Sequence, residues 1–166
     1  MHDAIRQRRS IRRFTREPVS DDLVEEILDA ARWAPSGLNN QPWRFAVIRD
    51  ARVKERLASL TRYGSIIRSA DVVIAVFFDT ASGYDRTKDL QSIGACIQNM
   101  LLAIHESGLG GVWLGEILKS SSEVKSLLQA PDAYEFMAAV AVGHPDGKPP
   151  RAPARRPVSE LVFYRK

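Results

Sequence analysis

The sequence predicts one mixed α and β domain, and three observations support that prediction. Its 166 residues are 45% hydrophobic, enough for one substantial core and too few for two ordinary ones. Segments with a helical period alternate with segments of strand character along the chain. No internal repeat or low-complexity stretch interrupts them. The expected unit is residues 1–166, with 144–166 as an extended arm.

The elements follow in order. AIRQRRS forms a short helix near the start. After the turn TREPVS, Ser20 is placed to cap DDLVEEILDAARW, with Asp21 and Asp22 at the positive end of the helix dipole. Leu23, Val24, Ile27, Leu28, Ala30 and Ala31 give that helix a broad apolar face, and it stops before Pro35. RFAVI (44–48) reads as a strand, Asp50 as the cap of an amphipathic helix through Arg62, and VVIAVFF (72–78) as a buried strand. The longest helix runs from about Lys88 to Ser107, with Leu90, Ile93, Ile97, Leu101 and Ile104 on one side and Gly108 as its stop. GVWLGEI is a short strand or an extended loop. Ser120 and Glu123 fit a capping box for a helix ending near Gln129, and YEFMAAVAVG (134–143) is a strand. HPDGKPPRAPARRP is too rich in proline and arginine to pack, and LVFY (161–164) then resumes a strand pattern. An apolar strand after an extended basic arm has to find a sheet edge, which points to exchange between subunits.

Lysine and arginine number 24 against 20 acidic residues, a formal net charge of +4. Anionic ligands are therefore plausible, and charge alone leaves nucleic acid open. The single cysteine, Cys96, excludes an intrachain disulfide and any cysteine-rich metal site. Its place on the apolar side of the long helix predicts a structural role. His2, His105 and His144 lack the spacing of a metal site. MHDAIRQRRS has no apolar stretch of signal-peptide type, and VVIAVFF is too short to span a bilayer, so the cytoplasm is the expected compartment. Gly108, Gly110 and Gly111 follow a helix instead of opening one, which predicts a helix stop and not a phosphate loop.

Two stretches carry chemistry. RRSIRRF (8–14) has three readings: a solvated basic helix end, a nucleic-acid arm, or a clamp for a phosphorylated cofactor. Arginine suits phosphate because its planar fork donates two parallel hydrogen bonds and stays charged. Arg8, Arg9 and Arg12, with the Ser10 hydroxyl, can surround one phosphate if the backbone turns there, whereas a helix splays them. A second cluster, Arg151, Arg155 and Arg156, lies at the other end of the chain. The other stretch is APSGLNNQPWRF (34–45), in which Pro35, Gly37 and Pro42 exclude regular structure. Ser36, Asn39, Asn40 and Gln41 crowd amides and a hydroxyl into one loop, anchored by Trp43 and Phe45. Such a loop suits the edge of a flat heterocycle, or is a polar surface turn with a tryptophan plug.

Taken in order, RRSIRRF, APSGLNNQPWRF, QSIGACIQNMLLAIHESGLG, GVWLGEI and the late VAVGHPDGKPP with RRPVSELV extend over almost the whole chain. This series resembles the nitroreductase family of flavin-dependent oxidoreductases. The resemblance implies an α+β fold with a central, mostly antiparallel sheet flanked by helices, and a homodimer that exchanges its C-terminal tail strand. It also implies FMN at the subunit interface, each site built from both chains. By resemblance, Arg8, Arg9, Ser10 and Arg12 form the N-terminal flavin motif, with arginine on the FMN phosphate. Pro35, Ser36, Gly37 and Asn39 form the loop that the partner lays against the isoalloxazine ring. The Leu114 and Gly115 backbone passes near the redox-active edge, and Arg155 and Arg156 match a C-terminal basic position that also reaches the phosphate. The implied reaction is a ping-pong cycle in which NADH or NADPH reduces FMN and a nitroaromatic, quinone or similar acceptor reoxidises it. Catalytic side chains and metals are not expected, because the flavin supplies the chemistry. Tyr63, Arg62 and Ser65 are further candidates near the ribityl chain.

Two departures from the family pattern bear on the site. The connection DTASGYDRT is shorter than the excursion many members carry, and Glu116 sets an acid near the expected flavin edge, where solvent is its expected direction. Trp113 is expected in the core. The rival readings are a flavin carrier without turnover and a nucleic-acid module that stacks bases on Trp33, Trp43 or Tyr84.

Overall fold

The computed structural model describes residues 2–152 and 154–166, without the side chain of His2. Met1, and Pro153 of the expected arm, lie outside the described residues.

Four strands form one antiparallel sheet in the order β1-β2-β4-β3. These are β1 (Trp43–Ile48), β2 (Val72–Asp79), β3 (Gly110–Leu114) and β4 (Tyr134–Gly143). The centre is β2 against β4, and all eight residues of β2 are buried. A run without polar alternation is what a strand covered on both faces requires. One face holds Val72, Ile74, Val76 and Phe78, packed with Ala138, Val140 and Val142 of β4. The opposite face holds Val73, Ala75 and Phe77 with Phe136, Ala139 and Ala141. The strand alternation is broken once, by a bulge that lets Phe77 pair with Phe136 while Val76 pairs with Ala138.

Helices cover both faces. α2 (Asp21–Arg32) and α5 (Arg86–Glu106) pack on the first, through Val24, Ile27 and Ala31 and through Ile93, Ile97, Met100 and Ile104. The Ser20 hydroxyl accepts from the Leu23 N–H, as the capping residue predicts. α3 (Ala51–Ser59), α4 (Gly64–Ser69) and α6 (Ser121–Leu127) cover the second face. Asp50 accepts from the N–H groups of Arg52 and Val53 and so caps α3. α1 (His2–Gln7) precedes the arginine cluster, and Gly108, at φ +73°, ends α5.

Several expectations need correction. The helix begun at Asp50 ends at Ser59, and a separate α4 follows the turn. α5 begins at Arg86 because Asp85 accepts from the Lys88 N–H, two residues earlier than apolar periodicity suggests. Leu90 lies away from the apolar face and is partly exposed. Ser120 makes no capping bond; its hydroxyl donates to the Leu60 carbonyl and ties α6 to the end of α3. Trp113 is 43% exposed, since β3 is an edge strand and its alternate positions face outward. LVFY is not a strand here: α7 (Val158–Leu161) takes its first residue, and Phe163 and Tyr164 lie exposed beyond it.

Cys96 is fully buried in α5, and burial pushes its thiol up to about 12. The thiolate is the reactive form, so iodoacetamide at about pH 8 should leave Cys96 unlabelled in the folded protein and label it fully in guanidinium. Mass spectrometry of the two samples checks this. Among the described residues no cluster of His, Cys, Asp and Glu could hold a metal, and no helix is long and apolar enough to cross a membrane.

Candidate functional site

The arginine cluster lies beyond the end of α1 and is extended, not helical. Ser10 bridges Gly111 of β3, the Ile11 N–H donates to the Gly111 carbonyl at 3.1 Å, and Phe14 bridges Pro145. The segment is a strap laid across the end of the sheet. It lies close because residue 110 is glycine: a Cβ there would fall 2.7 Å from the Ile11 side chain. The extended chain does not bring the four expected residues to one place: Arg8 and Arg9 line one cavity, and Ser10 and Arg12 line another, with Asp146 and Lys148.

Arg8 and Arg9 line a cavity of about 290 Å³ whose other walls include Ile104, His105 and Gly108 at the end of α5, and Pro145. Burial, then repulsion from Arg9 and Arg155, lowers the Arg8 pKa from the ordinary arginine value. The two ends of the sequence therefore meet here. Among the described residues Arg8, Arg9, Arg12 and Arg155 have no ion-pair partner, while nine other arginine or lysine ion pairs occur across the structure. Arg9 is partly committed, since it donates to the carbonyls of Arg6 and Arg8 at 2.6 and 2.8 Å and closes the end of α1. Arg12 donates to the Ser10 carbonyl, and Arg156 is exposed.

Gly111 leads along β3 to Leu114, whose side chain is buried, and to the exposed Gly115. Only main chain is available from Leu114. Glu116, expected to face solvent, turns back instead. Its carboxylate accepts from the Thr61 hydroxyl at 2.6 Å and the Arg62 N–H at 3.2 Å, and pairs with Lys119 at 2.6 Å. These bonds, led by Lys119 and Thr61, lower its pKa from 4.5 to about 2. The stability Glu116 contributes is thus present above about 4.5 and lost as pH falls through about 2. Glu116→Gln should lower the melting temperature at neutral pH, and the difference from wild type should vanish toward pH 2, as paired thermal scans across pH would record. The same bonds fix Thr61 to Tyr63, where the Arg62 guanidinium lies 4.9 Å from the Tyr63 ring centroid.

The loop from Pro35 to Gln41 is built around a 3-10 turn, Gly37–Asn39. Leu38, Asn39 and Gln41 all have positive φ, at 54°, 55° and 46°. Such backbone persists only when surroundings enforce it. The Ser36 hydroxyl oxygen accepts from the Gln41 N–H at 3.0 Å, and the Asn40 amide donates to the Ser82 carbonyl at 3.0 Å and to Asp89 Oδ1 at 2.7 Å. Asp89, 1% exposed, also accepts from the N–H groups of Tyr84 and Asp85 at 2.9 and 3.0 Å. Burial alone would raise its pKa. The bonds from Asn40, Asp85 and Tyr84, with Lys88, outweigh burial and hold it below 3.8. Asn40 therefore ties the loop to α5, a role its place in the sequence did not reveal. Neither Asp89 nor Tyr84 carries a sequence signal beyond an acid in a first helical turn and an aromatic in a connection. At the loop's apex Leu38 is 86% exposed.

The structure does not bring this loop to the arginines within one chain. Pro35, Ser36 and Gly37 face the α5 segment from Lys88 to Ala95, whereas the arginine cavity meets α5 from Leu101 onward. From Ser92 to Ile104 is roughly 18 Å along the helix axis.

Comparison with known proteins adds to this geometry. A family model described as the nitroreductase family matches residues 5–64 and 58–144. A structure from Desulfovibrio desulfuricans, described as a nitroreductase in complex with FMN, is 50% identical and superposes with a TM-score of 0.93, covering 99% of this chain and 96% of that one. The NADPH:FMN oxidoreductase of Vibrio harveyi, complexed with NAD+, is 26% identical with a TM-score of 0.90, covering 99% of this chain and 76% of that one. A protein of Methanothermobacter thermautotrophicus named as an NADH dehydrogenase/NAD(P)H nitroreductase is 33% identical over 149 residues, 89% of this chain and 78% of its own length.

Proposed function

Since the chain belongs to the nitroreductase family, we propose that it is an FMN-dependent oxidoreductase that takes hydride from NADH or NADPH and reduces an electron-poor acceptor such as a nitroaromatic or a quinone. The observation that carries this reading is one cavity lined by Arg8 and Arg9 from the start of the chain and by Pro145 and Pro149 from its end, with Arg155 near enough to repel Arg8. Cations held together without a countercharge suit a phosphate dianion. The 50%-identical relative that binds FMN supports the same cofactor here. When bound, FMN would accept hydride and pass the electrons on, donor and acceptor taking turns in a ping-pong cycle.

The chain's own residues bind and orient. Arg8, Arg9, Ser10 and Arg12, with Arg155 and Arg156, would hold the phosphate. The Leu114 and Gly115 main chain would lie along the ring, where N–H groups favour the negative charge of a reduced flavin. Glu116 is neutralised locally by Lys119, so its charge opposes reduction little. Pro35, Ser36, Gly37 and Asn39 would serve the site of a second subunit, which the separation along α5 supports. Residues 1–166 would act as one domain; the 144–166 arm starts on its own chain, where residues 144–146 pair with Arg13, Phe14 and Thr15, and its part beyond Arg156 would cross to the partner, giving Phe163 and Tyr164 a surface to cover. Reduced nicotinamide is a cytoplasmic supply, and the reading places the protein there.

The visible spectrum of the desalted protein, with chromatography of any released chromophore, tests the cofactor. Steady-state NADPH oxidation with a quinone then separates an enzyme from a flavin carrier. A colourless protein that takes up no added FMN would sink the reading and leave the basic cluster to be tested on nucleic acid across a salt series. Removing residues from Arg155 onward should lower FMN retention and dimer content together; no change in either would refute the exchanged arm.

A further inference from the structure

We propose that Glu116 is a positioning residue whose carboxylate locks the turn after β3 to the turn between α3 and α4, and that this lock sets how much more tightly the site holds reduced than oxidised FMN. The inference rests on the oxidoreductase reading, because it assigns a further part of that same site.

The place of the lock follows from the strand. Gly111 lines the arginine cavity, and Gly115 comes four residues later, just past the end of β3, roughly 13 Å on at the rise of a strand. A phosphate in that cavity, with its ribityl chain along the strand, brings the flavin ring to Gly115. There the main chain borders open space: Gly115 is exposed, and a Cβ added to it would meet nothing within 4 Å. Glu116 is the next residue, so whatever holds its side chain also holds the main chain that would face the ring.

The lock is a chain of hydrogen bonds between residues 55 positions apart. The Tyr63 N–H donates to the Thr61 hydroxyl oxygen at 3.2 Å, and that hydroxyl donates to Glu116 Oε2 at 2.6 Å. The same carboxylate oxygen accepts from the Arg62 N–H at 3.2 Å, while Oε1 pairs with Lys119 at 2.6 Å. A second tie joins the same two turns, the Ser120 hydroxyl donating to the Leu60 carbonyl at 3.1 Å. Thr61 is buried and the Glu116 side chain is only 21% exposed, so water does not readily replace these partners. Pairing with Lys119 already balances the charge. What the bonds to Thr61 and Arg62 add is a fixed orientation.

Orientation matters unequally to the two forms of the cofactor. The oxidised ring is neutral, and a small misplacement of main-chain donors costs it little. The reduced ring carries negative charge, and donors aimed where that charge develops are worth most when they need not reorganise. A loosened turn therefore weakens binding of the reduced form more than of the oxidised one, which lowers the midpoint potential of the bound flavin.

The test uses FMN-loaded protein. Fluorescence titration gives the affinity for oxidised FMN, and reduction against a reference dye gives the midpoint potential, whose shift from that of free FMN is the ratio of the two affinities. Thr61→Val removes the relaying hydroxyl at nearly constant shape; Glu116→Asp keeps the charge but withdraws it by one methylene. Each should lower the reduced-to-oxidised affinity ratio about tenfold, a fall of about 30 mV for a two-electron couple, with Thr61→Ser at the wild-type potential. Equal losses of affinity for the two forms, which leave the potential unmoved, would make Glu116 merely structural and overturn the proposal while keeping the flavin. Wild type that takes up no FMN would remove the oxidoreductase reading and the proposal with it, a result that the variants cannot imitate.

Discussion

Replacing Arg8 by alanine should weaken FMN binding by about 10- to 100-fold while leaving riboflavin binding unchanged. The contrast isolates the phosphate, which riboflavin lacks. A hydrogen bond to a charged group is worth about 1.5–3 kcal/mol, and each 1.4 kcal/mol is tenfold in affinity. Arg8 is the member of the cluster that burial, Arg9 and Arg155 together press toward losing its charge, so a bound dianion relieves it most. Arg9 should matter less, because part of its guanidinium already serves the Arg6 and Arg8 carbonyls. Sulfate should raise the melting temperature of the flavin-free wild type and leave Arg8→Ala unmoved. Fluorescence titration with the two flavins decides the matter, and parallel losses for both would remove the phosphate clamp.

Asp89→Ala should be the most destabilising single change in the site region. It strands the Asn40 amide and the Tyr84 and Asp85 N–H groups in a buried position. Leaving buried donors unsatisfied costs about 1–3 kcal/mol each before relaxation, and about 3 kcal/mol in all corresponds to roughly 6–12 °C in melting temperature at this chain length. The loop should loosen at the same time, since three residues at positive φ depend on it. Asp89→Asn keeps shape while losing charge and should fall between. Because the folded-state pKa is depressed, the Asp89 contribution is present above about 3.8 and is lost as pH falls through its lower folded value. Calorimetry of the three proteins from neutral to acid pH, with protease sensitivity of residues 36–41, measures both effects.

Much of the fold was legible because local signals agreed with the tertiary outcome. YEFMAAVAVG is β4 to the residue, VVIAVFF lacks only Asp79 of β2, and Ser20 and Asp50 cap as their chemistry predicts. Expectations failed where a distant partner outweighed the local pattern. Ser120 resembles a capping residue, but the Leu60 carbonyl takes its hydroxyl. Trp113 is hydrophobic and large, but its strand lies at the sheet edge. Arginines 8 to 12 were ambiguous because their chemistry depends on whether the chain is helical or extended, which the docking onto Gly111 decides. Asn40 and Asp89 lie 49 positions apart and recognise each other only across the folded loop, so neither could be singled out beforehand.

The antiparallel pairing of β2 with β4 also governs the order of assembly. Val72 meets Val142 and Asp79 meets Tyr134, so the central ladder closes loops that span a third or more of the chain. Pairing at such separation is slow and sets the barrier. The strap carrying the arginines docks on Gly111 and Pro145, a platform that exists only once β3 and β4 have joined the sheet. An anion held by the strap therefore stabilises contacts made after the barrier. Its kinetic signature is a longer-lived native state with an unchanged rate of reaching it.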